Sequence, residues 1–189
     1  MLKFTTACMF AGKTAQLINT YEIYKRKGLN PIVIKPVIDD REGAFKGWGT
    51  TSSRLMPNHP IPAYYFTDLK NELPKLDYGM ILVDEAQFLS RAEVRELARV
   101  VDAENVEIHA YGLKTDVNGD LFEGSAALLA LADNVYEMES LCQIKDCTNK
   151  AQMHLRYING VVDRSGQSVA VEKGDITYKA VCRQHWRED

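Results

Sequence analysis

Ala7-Cys-Met-Phe-Ala-Gly-Lys-Thr14 follows a short strand-like run, Leu2 to Thr6, and opens directly into a helical pattern. Strand, tight loop and helix start is the build of a phosphate-binding loop. In such a loop successive backbone N–H groups, here those of Ala7, Cys8, Met9, Phe10, Ala11 and Gly12, wrap the phosphates, and the helix N-terminus adds partial positive charge. Lys13 is then expected to reach the β- and γ-phosphates, and the Thr14 hydroxyl to bind Mg²⁺. The first glycine of the motif is Ala7 here, although glycine at that place lets the backbone turn without a Cβ. The plainer alternative is that Gly12-Lys13-Thr14 merely opens a helix.

The residues that follow extend an α/β pattern. Leu17, Ile18, Tyr21 and Tyr24 recur at helical spacing over Lys13 to Lys27, with Gly28 as a stop. Pro31 to Lys35 reads as a buried strand, and strand-helix-strand favours a parallel sheet. From Arg41 to Pro60 no period is visible, and the stretch reads as a long surface loop. Ile61 to Phe66 is a short strand, and Thr67 an N-cap for a helix over Asp68 to Leu73 that Pro74 ends. Met80 to Val83 is an apolar strand ending in Asp84 and Glu85. Ligands bind at the C-terminal edge of strands in open α/β sheets, and an Asp there is the usual Mg²⁺ partner of a phosphate loop. The alternative is a surface turn. Ser90 to Glu93 fits a capping box, continued at helical spacing by Val94, Leu97, Ala98 and Val101. Val106 to Leu113 is a strand, Lys114 to Glu123 a polar loop, Ser125 to Asp133 a buried helix and Val135 to Met138 a last strand. The expected fold is therefore α/β, a P-loop parallel sheet flanked by helices, over residues 1–140.

Beyond residue 140 the character changes. Cys142 and Cys147 are answered far downstream by Cys182 and His185, the pattern of a zinc ribbon. The alternative is a set of free thiols and an unrelated histidine. Residues 141–189 are read as a small zinc-binding unit whose intervening segment, pinned at both ends, folds over the nucleotide edge as a lid. Within it, Val161 to Gly166 reads as a hairpin turn, Val169 to Val171 as strand-like and Gly174-Asp175 as a turn. Cys8 is a packing residue, and His59, His109 and His154 stand alone as structural histidines.

Length and charge narrow the classes. A chain of 189 residues forms one domain, or one with a small appendage, and needs no disulfides to fold. A net charge of −3 argues against a nucleic-acid-binding surface over the whole protein. There is no signal-peptide pattern and no apolar run near the ~20 residues of a membrane span, so a cytoplasmic protein without membrane or nucleic-acid partners is expected.

Taken together, six patches resemble the thymidine kinases of the cellular and bacterial kind, especially bacterial and bacteriophage members. They are Met9 to Thr14, Asp39 to Arg41, Val83-Asp-Glu-Ala-Gln-Phe88, Tyr111-Gly-Leu-Lys-Thr-Asp116, Leu121-Phe-Glu-Gly-Ser125 and Tyr178 to Trp186. The resemblance implies transfer of the ATP γ-phosphate to the 5′-hydroxyl of thymidine with Mg²⁺. It makes Glu85 the general base, Thr14 and Asp84 magnesium contacts, and Asp39 and Arg41 neighbours of the phosphates. Met9, Phe88, Leu113 and Phe122 match positions enclosing the thymine. Val169, Val171 and Tyr178 fall on a "lasso" that holds the base largely through main-chain hydrogen bonds, with structural zinc on Cys142, Cys147, Cys182 and His185. A homotetramer inhibited by dTTP is also implied. Two positions depart from the family pattern: Cys-x₄-Cys replaces Cys-x₂-Cys, and Ile176 stands where an acidic residue usually precedes the tyrosine. The rival reading is a P-loop ATPase, Glu85 orienting water, with a zinc-ribbon interaction module.

Overall fold

The protein is described by a computed structural model over residues 1–37, 45–164 and 175–187. Asp39, Arg41, Val169 and Val171 lie outside the described residues, as do Ser165 and Gly166.

Strands β1 (Leu2–Thr6), β2 (Pro31–Pro36), β3 (Gly47–Ser53), β4 (Met56–Phe66), β5 (Met80–Val83), β6 (Glu107–Gly112) and β7 (Asn134–Glu137) form one sheet in the order β3-β4-β2-β5-β6-β1-β7. All its pairings are parallel except β3 with β4. The central strands are apolar on both faces because both are covered. Ile32, Ile34, Ile81 and Val83 face α2 (Leu69–Glu72), α3 (Arg91–Glu104) and α4 (Glu123–Leu131). Val33, Met80 and Leu82 alternate with them and pack on Leu17, Ile18 and Tyr21 of α1 (Lys13–Arg26). The fold is thus the expected α/β sheet flanked by helices. A second sheet follows, in the order β10-β8-β9, from β8 (Met153–Ile158), β9 (Val161–Val162) and β10 (Ile176–Val181); α5 (Arg183–Arg187) closes the described chain. Among the described residues no helix is long and apolar enough to cross a membrane.

Three local readings need correction. Within the stretch taken as a surface loop, residues 47–60 belong to the β3–β4 hairpin. Its period of two was masked because the inward positions are small: Thr51 and Ser53 are buried, while Trp48, Thr50 and Ser52 point outward. Asp68, not Thr67, caps α2 by accepting from the Asn71 N–H, and Glu72 accepts from the Thr67 and Asp68 N–H groups. Helix α2 ends directly before Pro74, as read, with Leu73 as its C-cap; Pro74 then sits early in a 3₁₀ turn, Leu73–Lys75, where its missing N–H costs nothing. The C-terminal hairpin turns at Asn159-Gly160, both at positive φ (52° and 80°), and Val161 and Val162, read as the start of a turn, form strand β9. In addition α4 starts two residues earlier than expected and buries only one face, leaving Leu129 and Leu131 exposed. The Ser90 capping box of α3 is present with both its hydrogen bonds.

Helix α4 approaches the 3₁₀ turn Ala86–Phe88 so closely that a Cβ on Gly124 would stand 2.6 Å from the Ala86 and Leu89 carbonyl oxygens. Gly124→Ala is therefore expected to lower stability by about 1–3 kcal/mol, read as a lower denaturant midpoint.

Glu107 on β6 accepts from Lys3, Tyr24 (3.1 Å) and His109 (2.8 Å). Burial disfavours its charge, but the bonds from Lys3, His109 and Tyr24 outweigh it and hold the carboxyl down to about 2 from 4.5. A lowered folded-state value stabilises above the unfolded value and loses that as pH falls. The stability gap between the unaltered chain and Glu107→Gln is expected to be constant above pH 4.5 and to close as pH falls toward 2.

Candidate active site

The loop Ala7 to Gly12 leaves the C-terminal end of β1 and enters α1, and β5 ends beside it in Asp84 and Glu85. Ala7 is buried at negative φ; the left-handed turns fall at Phe10 (64°) and Gly12 (88°). The alanine at the first motif position is therefore accommodated without strain, because the loop bends later. Helix α1 has no side-chain cap and no acidic residue in its first turn, which leaves its first N–H groups facing the loop. Lys13 Nζ donates to the Ala7 and Cys8 carbonyls at 3.3 and 2.9 Å, spanning the loop it belongs to. Burial pushes its pKa down, against the pull of Glu85, Cys8 and Asp84.

Asp84 is only 3% exposed. Its Oδ1 accepts from Thr14 Oγ1 (3.4 Å) and the Glu85 N–H (3.1 Å), and its Oδ2 from Thr51 Oγ1 (3.0 Å) and Lys35 Nζ (3.5 Å). It is not a surface turn: the carboxylate joins β5 to α1, β2 and the β3–β4 hairpin. Glu85 adopts a left-handed backbone (φ 54°, ψ 38°), a conformation that persists in a non-glycine residue only when its surroundings enforce it. Its carboxylate accepts from Gln87 Nε2 at 2.7 Å, and Gln87 Oε1 accepts from the Leu113 N–H at 3.0 Å. Gly112 leaves room for this bridge, since a Cβ there would lie 2.9 Å from both the Gln87 N and Oε1 atoms.

Two cavities meet at Glu85. The first, about 300 Å³, is lined by the phosphate loop, from Met9 to Thr14, and by the hairpin tip Ser52 to Leu55. The second, about 240 Å³, is lined by Met9, Gln87, Phe88, Leu113, Phe122, His154 and Tyr178. Met9, Glu85 and Leu113 belong to both. Phe88 and Phe122 pack edge to face, centroids 5.6 Å apart at 70°. Every described residue expected to enclose a base thus borders one apolar cavity beside the carboxylate. Sequence reasoning missed Lys35, Thr51, the hairpin tip, Gln87 and His154. Gln87 lay inside a patch already singled out; the others carried no local signal.

The four expected metal ligands also converge. The Cys142, Cys147 and Cys182 sulfurs and a His185 ring nitrogen all lie within 4.8 Å of one another. His185 Nδ1 is 3.4 Å from Cys142 Sγ and 3.3 Å from Cys182 Sγ. Ligands of one tetrahedral ion with sulfur and nitrogen bonds of the usual lengths sit ~3.5 Å apart. The four-residue spacer closes because Asp146 turns left-handed (φ 63°) just before Cys147, and the Cys147 N–H bonds back to Ile144. A hydrogen bond from the His185 backbone leads in lowering the Cys182 thiol to about 7, favouring the thiolate. The cluster can hold a metal ion.

Comparison with known proteins agrees with this geometry. The thymidine kinase family model matches residues 1–186. Bacteriophage T4 thymidine kinase is 37% identical, over 99% of this chain and 95% of its own. The thymidine kinases of Rhodopirellula baltica and Streptococcus pyogenes are each 37% identical, over 99% and 98% of this chain and 88% and 96% of theirs. A family match over nearly the whole length, on a sheet edge that gathers a phosphate loop, two carboxylates and an aromatic cavity, places the chain in the thymidine kinase family.

Proposed function

We propose that this protein transfers the γ-phosphate of ATP to the 5′-hydroxyl of thymidine. The observation that carries the reading is that Glu85 borders both the phosphate-loop cavity and the apolar cavity. A carboxylate between them can take the proton of an alcohol in one as the alcohol attacks a phosphate in the other. Gln87 holds that carboxylate from the protein side, and the left-handed backbone of Glu85 turns it toward the cavities. Lys13 and the loop amides that face the cavity would bind and orient the triphosphate, while the Ala7, Met9 and Ala11 N–H groups are engaged by the Gly112 carbonyl, His154 and the Cys8 carbonyl; phosphoryl transfer asks for little more than such positioning and charge neutralisation.

Thr14 and Asp84 offer hard oxygen donors 3.4 Å apart, a set that suits Mg²⁺. That ion supplies charge neutralisation at the phosphate oxygens when bound with the nucleotide. Asp39 and Arg41 are assigned to the same phosphate region by family resemblance. Thymine is assigned to the apolar cavity, beside the packed Phe88–Phe122 pair and against Met9, Leu113 and Tyr178. Val169 and Val171 belong to the lasso in this reading. The metal of the C-terminal cluster is zinc, because three thiolates and an imidazole are soft to borderline ligands at structural-zinc spacing. Residues 1–140 act as the nucleotide-binding unit and 141–189 as the metal-pinned unit. Support for this division comes from the two separate sheets and from a local core of Leu155, Val181 and Cys182 around the cluster.

A coupled assay tests the reaction. ADP release is expected to require thymidine, and ADP formed at the same rate without a nucleoside would establish the ATPase reading instead. Glu85→Gln keeps the size and a hydrogen-bonding side chain but removes the base, and is expected to lower kcat about 10²–10⁴-fold with smaller effects on either KM. Elemental analysis of the purified chain tests the metal. About one zinc per chain is expected, falling sharply in Cys182→Ser; under about half an equivalent, or no fall, would rule out a four-ligand structural site.

A further inference from the structure

The rear of the phosphate loop is built by the C-terminal sheet. His154 on β8 is 3% exposed, and its Nε2 accepts the Met9 N–H at 2.9 Å. A neutral imidazole with one nitrogen accepting carries its only proton on the other, and the ring's second hydrogen bond is to the Thr115 backbone. Burial and then the Lys13 charge drive the ring's pKa down to about 4, so it stays the neutral acceptor the Met9 amide requires. One residue earlier, Cys8 is buried against Ala151 and Ala180. Their small side chains let the loop settle directly on β10 and the approach to β8. Ala180 is itself fixed by Gln143, which accepts from the Ala180 N–H (2.8 Å) and donates its own N–H to the Ala180 carbonyl (2.9 Å), next to Cys142. The Met9 amide thus points away from the cradle, and the loop is held from behind at two consecutive residues.

We propose that His154 is a positioning residue for nucleotide binding: it fixes the phosphate loop from the C-terminal sheet, so that nucleotide affinity depends on a residue that meets the loop from behind. The inference rests on the reading that this loop holds the nucleotide. It differs from a role in holding the nucleoside, although His154 also borders the second cavity.

Calorimetric titration of the metal-loaded full chain with Mg·ADP, without nucleoside, separates the two. His154→Leu leaves the half-buried Met9 amide without its acceptor and is expected to weaken Mg·ADP binding roughly tenfold. His154→Gln, whose side-chain oxygen can accept the same N–H, is expected to recover most of that loss. A folded Leu variant that binds Mg·ADP within about twofold of the unaltered chain, or a Gln variant no better than Leu, would overturn the assignment. Should the Leu variant not fold, amide exchange in the unaltered, nucleotide-free chain decides. A protected Met9 N–H is expected, and exchange at the rate of an open loop would overturn it. Failure of the unaltered chain itself to bind Mg·ADP would instead remove the nucleotide reading and this inference with it.

Discussion

A buried carboxylate organises this molecule. An ionised Asp taken out of water is costly unless its oxygens are bonded. Asp84 is satisfied only when Thr14, Thr51, Lys35 and the Glu85 amide all reach it. Those donors come from the helix after the phosphate loop, the edge hairpin, a central strand and its own turn. Forming the four bonds brings these elements into one arrangement at one sheet edge. The acidic residue that suits a magnesium ion is thus also the residue that registers the elements around it.

The proposed chemistry then depends on a change of direction over one residue. Asp84 faces inward to its donors, while Glu85, left-handed, faces the cavities. The strain of that backbone is supported by Gln87 bridging to the Leu113 amide, by the absence of a Cβ at Gly112, and by Gly124 letting α4 close on the following turn. Two glycines, 27 and 39 residues after Glu85, therefore serve the orientation of its carboxylate.

Much of this was legible in the residues alone, and the pattern of successes has physical causes. Met80 to Val83 and Pro31 to Lys35 read clearly because strands covered on both faces are continuously apolar. The phosphate loop and the Cys/His cluster read clearly because few other arrangements need those residue types at those spacings. Gly47 to Ser53 did not, since its inward positions are Thr and Ser and hydrophobic periodicity is blind to them. The Asn159-Gly160 turn carries a strong hairpin signal, but β9 is only two residues long, and no alternating strand frames it. His154 was out of reach altogether. It lies 145 residues from the amide it binds, and a lone histidine announces no partner until the two sheets are brought together.

Strand β1 carries the phosphate loop, yet within the sheet it lies between β6 and β7, the last two strands of that sheet to be synthesised. On a ribosome the first strand made must wait, unpaired, for more than a hundred residues before either neighbour exists. Pairings this distant in sequence form slowly, and unpaired strands invite association with other chains. The proposed nucleotide site is thus encoded at the beginning of translation but assembled near its end. Any truncation short of β6 would leave the segment richest in functional residues with no place to dock.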